Sequence, residues 1–476
     1  MSVAATHDSP YSGSWYPADR IELDELIDRL WKSSGQRTGA YLLENPLGFV
    51  VPHAGLVYSG TVAASAYRHI ERCRPKRIVL LGFAHRGCPP GLWIPDVTSV
   101  RTPLGEVRID AEAVADLTVG GEFQILPEAR LCDHSIEIQL PLIQRAAPDS
   151  SVVPVYVGQL SDQARREEAS ALARRIRAGD LLIASSDLTH YGSAFRYQPF
   201  PVDNRVQERL RVLDFGVLDA AASLRPELFL KTLLESSATV CGYEPVSLLL
   251  SAMRASEEQG EVFQQVIDYQ TSGEITGDFH HSVSYGAAGY FPYSSFEVNS
   301  EAREVLLDLA RRTLRQYQTT GRRPVSVAPG QDHAVLEKRS AAFVTLHRGG
   351  QLRGCIGRNT SDAPLREVIP ELTMAAALDD TRFGRVTPDE TGIDIEISLL
   401  TPMKRIVDRS DFRVNAHGVL LQSGYRHGLL LPQVATERNW GAEQFFLALA
   451  RKAGFDPGVY DDPATKLHVF RAQIIH

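Results

Sequence analysis

Between Leu47 and Ala184, short apolar runs alternate with stretches whose apolar residues recur at helical spacing. The runs are LGFVV (47–51), RIVLLG (77–82), SVVPVYVG (151–158) and DLLIAS (180–185). Parallel strands need crossover connections of about a dozen residues or more, usually helices, so this alternation confines the region to an α/β architecture with a largely parallel central sheet. Helices are expected at 59–72, 135–147 and 161–179, then at 204–220, 225–235 and 245–257, with two further strands at 262–270 and 282–290. After Tyr290 the alternation stops. FPYSSFEVNS (291–300) is polar and turn-prone, and Ser300 caps the amphipathic run EAREVLLDLARRTLRQY. AAFVTLHRGGQLRGCIG (341–357), turning at Gly349-Gly350, and GVLLQSGYRHGLLLP (418–432), turning near Gly424, read as hairpins. With helices at 364–379 and 441–453 the second half is α+β, which gives a first domain over 1–293, a linker at 294–300 and a second domain over 301–476.

Charge narrows the partners. Lys and Arg number 50 against 58 Asp and Glu, a net charge of −8, which argues against a broad basic footprint for nucleic acid or an anionic membrane. No apolar run approaches the roughly 18 residues of a spanning helix, and the start, MSVAATHDSPYSGSWYP, lacks the charged and apolar regions of a secretory leader. The five cysteines (Cys73, Cys88, Cys132, Cys241, Cys355) are odd in number, widely spaced and without a C-x-x-C pair. A disulfide framework or zinc ribbon is therefore not expected, and a reducing cytoplasm is.

His53 follows Val50-Val51-Pro52, His85 follows Leu81-Gly82-Phe83-Ala84, and His190 follows Ser185-Ser186-Asp187-Leu188-Thr189, so each lies just past the carboxyl end of an expected strand. Ligand sites of open parallel sheets form at that edge, where three histidines can meet in one cleft. Taken singly, each also fits a loop histidine bonded to its neighbours. Imidazole both ligates metals and moves protons near neutral pH, so a cluster can divide those roles. Asp187 either orients His190 or caps the following turn. Cys241, ahead of a helix in Ala238-Thr239-Val240-Cys241-Gly242-Tyr243-Glu244-Pro245, is either a thiolate favoured by the helix N-terminus or a buried small hydrophobe. As a thiolate it can serve as a nucleophile, with His190 as base and Asp187 as orienter.

These residues fall in segments that resemble the Memo proteins over nearly all of 10–290. The segments are Gly13-Ser14-Trp15-Tyr16, Pro52-His53-Ala54-Gly55 with Tyr58, Leu81-Gly82 through His85, and Arg101-Thr102-Pro103-Leu104-Gly105. They continue with His134-Ser135-Ile136-Glu137, Ser185-Ser186-Asp187 through His190, Cys241-Gly242 and Ser282-Val283-Ser284-Tyr285. The resemblance implies a fold like that of class III extradiol ring-cleavage dioxygenases and a metal held by His53, His85 and Cys241, with Asp187 and His190 beside it. The dioxygenases use a carboxylate as third ligand, so Cys241 departs from their pattern. The softer His₂Cys set suits Fe(II), copper or zinc, and iron is the expected metal. Arg86 is a second departure, standing where eukaryotic Memo proteins carry another histidine. It either binds an anionic substrate group or is a solvated loop residue. Trp15, Tyr58 and His134 are further candidates for the pocket wall. His280-His281 fall outside the matching ligands, since neighbours on a strand point to opposite faces.

The second half is similar to the AMMECR family, whose hallmark Leu352-Arg353-Gly354-Cys355-Ile356-Gly357 is present. The match continues through Thr381-Arg382-Phe383, Ile395-Glu396-Ile397-Ser398-Leu399-Leu400 and Gly428-Leu429-Leu430-Leu431-Pro432. Cys355 beside Arg353 reads either as an activated thiol or as part of a tightly bent strand edge, and the pair is expected at an exposed site unless Arg353 is ion-paired. Memo and AMMECR proteins are associated with a radical-SAM protein in the AmmeMemoRadiSam system. The chain has no C-x-x-x-C-x-x-C motif, so that component is expected in trans. Two functions follow from the resemblance: a metal-dependent redox enzyme acting on a small organic molecule, or a metal-binding interaction module that docks such a partner.

Overall fold

The computed structural model describes residues 5–127, 131–257 and 260–476; residues 1–4, included in the 1–293 assignment, lie outside them. The chain divides into two compact units, Met1–Pro292 and Tyr293–His476. Among the described residues no helix is long and apolar enough to cross a membrane.

In the first unit, strands β1 (Ala5–Asp8), β5 (Val97–Thr102) and β6 (Gly105–Arg108) form a small sheet. The main sheet contains β2 (Gly48–Val51), β3 (Arg77–Gly82), β4 (Leu92–Pro95), β7 (Phe123–Leu126), β8 (Ser151–Val157), β9 (Asp180–Ser185), β10 (His190–Gly192), β11 (Val262–Thr271) and β12 (His281–Pro292). Its order is β10-β12-β2-β9-β3-β8-β4-β7, with β11 paired to β12. The alternation anticipates the centre, where β2, β9, β3 and β8 run parallel. The flanks are antiparallel, at β12 against β2 and β4 against β8, so the sheet is mixed. Helices cover the central strands on both faces, which is why β3 and β9 are almost wholly buried and read as continuous apolar runs. The core joins Val79, Leu81, Val155 and Leu182 to Leu248 and Leu249 of the helix Tyr243–Ser256.

The expected helix at 135–147 is broken into His134–Glu137 and Gln139–Ala146. Pro141 has no N–H to give the Glu137 carbonyl, so the ladder fails there. The break frees the short first turn to serve the site described below.

The second unit holds two antiparallel four-stranded sheets. One has the order β14-β13-β15-β20, from β13 (Ala342–Arg348), β14 (Gln351–Arg358), β15 (Ile393–Leu400) and β20 (Ala472–Ile475). The other has the order β16-β19-β17-β18, from β16 (Lys404–Ile406), β17 (Gly418–Ser423), β18 (Arg426–Leu430) and β19 (Lys466–Phe470). Both expected hairpins form, with Gly349, Gly350 and Gly424 at positive φ in their turns. The helix Leu365–Leu378 packs on β13 and β14.

Candidate metal centre

Because β2, β9 and β3 are neighbours running in one direction, the segments leaving their carboxyl ends emerge at one edge. His53 lies two residues past β2, His85 three past β3 and Asp187 two past β9. His190 lies beyond the loop, as the first residue of β10, paired opposite Val283.

His53 is 1% exposed and clamped at both ends. Its backbone N–H donates to Asp187 Oδ1 at 2.8 Å, and its ring Nδ1 lies 3.1 Å from Ser185 Oγ. Gln139 donates to the same Ser185 oxygen and to the Pro52 carbonyl, and is itself held by the Tyr67 hydroxyl. With Nδ1 engaged, Nε2 is the nitrogen that faces Cys241 Sγ, 3.3 Å away. Burial lowers the His53 pKa in spite of Asp187, which favours the neutral ring, the form in which imidazole ligates a metal.

Cys241 precedes the helix Tyr243–Ser256, and Gly242 is obligatory beside it. A Cβ at Gly242 would stand 2.4 Å from the Ser185 carbonyl oxygen. The Gly242 N–H instead reaches Ser186 Oγ, and the Asp187 N–H points at Cys241 Sγ from 3.3 Å. Burial and the Asp187 carboxylate push the thiol pKa well up. Burial thus opposes the stabilisation of a thiolate that the helix N-terminus would give. A bound cation would displace that proton.

His85 is held by Asp133, which accepts from its backbone N–H at 3.0 Å and lies 2.8 Å from ring Nδ1. Asp133 also caps the turn His134–Glu137 through the Ser135 N–H. Burial would raise both aspartates, yet both are held low: Asp133 chiefly by the His85 hydrogen bond, Asp187 by the neighbouring His53 and His190 imidazoles and the His53 backbone N–H. The His134 ring stacks on His85 at 3.9 Å, and Trp15 covers its other side at 4.1 Å. His53 is 5.5 Å from His85 and 5.6 Å from His134, centroid to centroid.

Two overlapping donor sets result, His53 with His85 and His134, and His53 with Asp187 and Cys241; the donor atoms of each lie within 4.8 Å of one another. His190 Nε2 is 3.9 Å from Asp187 Oδ2, and its backbone is fixed by both a donated and an accepted bond with Thr239 Oγ1. A cavity of about 310 Å³ adjoins Cys241, lined by Phe83, Cys88, Val157, Tyr243 and Pro245 among others. Of the remaining pocket candidates, Tyr58 is 43% exposed and Arg86 is exposed. Among the described residues neither shares a hydrogen bond or ring contact with these histidines. Sequence reasoning missed the holding roles of Asp133, Ser185 and Gln139. Gln139 was detectable as the polar residue on an otherwise apolar helix face, whereas Ser185 carries no signal of its own.

In the second unit, Arg353 is not freely exposed. Glu390, 7% exposed, grips its guanidinium through both oxygens at 2.7 and 3.0 Å, so the buried ion pair replaces the exposed site. Nor is Cys355 activated by Arg353: burial raises its pKa, the Thr345 hydroxyl donates to its sulfur at 3.3 Å, and the neighbouring cation is Arg382.

Comparison with known proteins agrees with this organisation. A family model described as Memo-like protein matches residues 8–289, and one described as AMMECR1 matches 307–475. The chain is 31% identical over 294 residues to a "MEMO1 family protein" of Methanobrevibacter smithii, covering 59% of this chain and 97% of that one. It is 27% identical over 295 residues to "Protein memo-1 homolog" of Caenorhabditis elegans, covering 60% and 83%. It is 28% identical over 296 residues to "Protein MEMO1" of Xenopus tropicalis, covering 60% and 97%.

Proposed function

Because the chain belongs to the Memo-like protein family and carries an AMMECR1 domain, we propose that its first domain is a non-haem iron redox enzyme of dioxygenase-like type acting on a small organic molecule. The observation that carries this is the convergence of His53 Nε2 and Cys241 Sγ at 3.3 Å beside the His85 ring. The donor chemistry suits a metal, with two imidazoles each held through Nδ1, leaving Nε2 available, and one sulfur whose proton a cation would displace; His85 and Cys241 stand in different donor sets, which His53 joins. Iron in a His₂Cys set supplies redox chemistry with coordination positions left open.

The chain's own residues divide the remaining work. Ser185 and Asp133 orient the two rings, and Asp187 fixes the His53 backbone. His190 takes or returns a proton at Nε2, with Asp187 Oδ2 3.9 Å away. Tyr11 and Trp15, edge to face at 5.8 Å, wall the histidine cluster on the His134 side and limit water there. The AMMECR1 domain serves the same pathway, and a radical-SAM protein is its partner in trans.

The test is metal analysis of full-length chain purified without oxygen, beside His53→Ala and Cys241→Ser. Iron near one equivalent in the wild type and loss from both variants is expected; equal content in all three overturns the site. Oxygen uptake with phenolic substrates separates an enzyme from a metal centre that only docks a partner.

A further inference from the structure

The turn His134–Glu137 has a second side. Glu137 ends it with a side chain 1% exposed, whose Oε1 lies 3.1 Å from Nε2 of His7 on β1. The other oxygen, Oε2, is buried without a hydrogen-bond partner. Leaving a buried acceptor unsatisfied is costly, the more so when it is charged. Cys132, just before the turn, brings a third kind of donor. The nitrogen, sulfur and carboxylate oxygen all lie within 4.8 Å of one another.

We infer that His7, Cys132 and Glu137 form a second metal site, separate from the His53 centre, which takes a divalent cation of the zinc class. The donor set is the observation that selects the ion. Imidazole, thiolate and carboxylate together suit a borderline-soft metal such as Zn²⁺, and three protein ligands leave a fourth tetrahedral position for water. Charge agrees: one thiolate and one carboxylate neutralise a divalent ion beside the buried Glu137. On binding, a proton leaves the Cys132 sulfur and any proton on His7 Nε2 leaves with it, both to solvent, while the metal forms bonds to N, S and O with no change of oxidation state.

Position gives the site its use. Cys132 and Glu137 bracket Asp133, which holds His85, and His134, which stacks on it. A cation there pins both ends of this stretch and ties it to β1, so it is a structural support for the first centre and needs no contact with substrate.

Cobalt(II) added to the full-length chain is the probe, since a thiolate ligand gives it a near-ultraviolet charge-transfer band. In the Cys241→Ser background the band is expected to persist, and to disappear when Cys132→Ser or His7→Ala is added. Zinc titration against a chromophoric chelator should count one ion fewer per chain in Cys132→Ser than in the wild type. Circular dichroism and cooperative unfolding confirm that each variant folds; should Cys132→Ser not fold, His7→Ala on the exposed side of the cluster decides. A Cys241→Ser chain without the band, or a band that survives both substitutions, leaves an ion pair only and overturns the site. Failure of the first centre reads out separately, as loss of the Cys241-dependent band from the Cys132→Ser chain.

Discussion

Cys241 and Cys355 each precede or follow a glycine, and burial raises the pKa of both thiols, yet their surroundings diverge. Gly242 lets the chain pass against the Ser185 carbonyl, which delivers the Cys241 sulfur to His53 and Asp187. Gly354 serves packing. A Cβ there would stand 2.1 Å from the Ala376 carbonyl oxygen of the helix Leu365–Leu378, and one at Gly357 would enter the Phe343 ring. Cys355 is left facing Thr345, opposite it on β13, in a row that continues to Glu396 on β15. A cysteine flanked by glycine therefore has no fixed meaning. What faces the sulfur decides, and of these two Cys241 alone faces imidazole.

The largest effects test the two glycines. Gly354→Ala should destabilise the second domain by about 1–3 kcal/mol in denaturant unfolding, because the Cβ meets backbone that cannot rotate away. First-domain metal content should be untouched. Gly242→Ala should do the reverse, destabilising the first domain by a similar amount and lowering its metal content. If either substitution crosses over to the other domain, the contrast between the cysteines breaks.

Asp133→Asn sharpens the first half of the contrast. It keeps the shape of the brace but weakens its hold on the His85 ring, and chelator competition should find metal affinity down by about 10–100-fold. Unchanged affinity would mean that His85 needs no orientation.

A smaller effect separates the domains by pH. Burial, then the carboxylates of Glu244 and Glu167, raise the Glu168 pKa to about 7. A carboxyl that holds its proton more tightly when folded costs nothing below about 4.5 and destabilises increasingly as pH rises to about 7. Glu168→Gln should thus be neutral at pH 4 and stabilise the first domain by about 1 kcal/mol at pH 8, after allowance for partial exposure. The second domain gains stability with alkali instead. Burial lowers the Lys338 pKa to about 8, so its penalty is full below that value and fades as pH rises toward 10.5. A stability profile in which both domains move the same way between pH 5 and 10 contradicts these assignments.

Cys355→Ser is expected to change least, within about 1 kcal/mol and with metal content unchanged, because its sulfur contacts a hydroxyl that a serine can also meet. Loss of metal on this substitution would make the two domains one site.

The α/β frame was legible because β3 and β9 are buried on both faces and so read as unbroken apolar runs. The four-residue strands β4 and β7 at the sheet margin and the mixed-polarity β5 escaped for the converse reason: β5 alternates buried with exposed residues in a run too short to stand out. The break at Ile138 could have been read from Pro141 and was not. At the candidate centre, His53, His85, Asp187 and Cys241 stood out through position or resemblance. The residues that aim them did not, since Ser185 is one of several serines at a strand end and its role exists only once Gln139 and His53 close around it. The ion pair was one of two outcomes open to Arg353, and its partner Glu390 could not be named because it lies 37 residues away, beyond any local pattern.

The sulfur–imidazole contact between Cys241 and His53 joins residues 188 positions apart, and the clamp from Asp187 to His53 spans 134. Contacts that distant form only after the intervening chain has been gathered. A nascent chain that has emerged only as far as Thr239 already offers His53, His85, His134 and His190 but not Cys241, so it lacks one donor of the proposed centre. On the proposed function, metal capture at the first centre would consequently mark the arrival of Cys241. In a pulse-labelled refolding or translation experiment, retained metal would date the moment at which the helix beginning at Tyr243 docks, and a chain stalled before it would be distinguishable by its empty hands rather than by its shape.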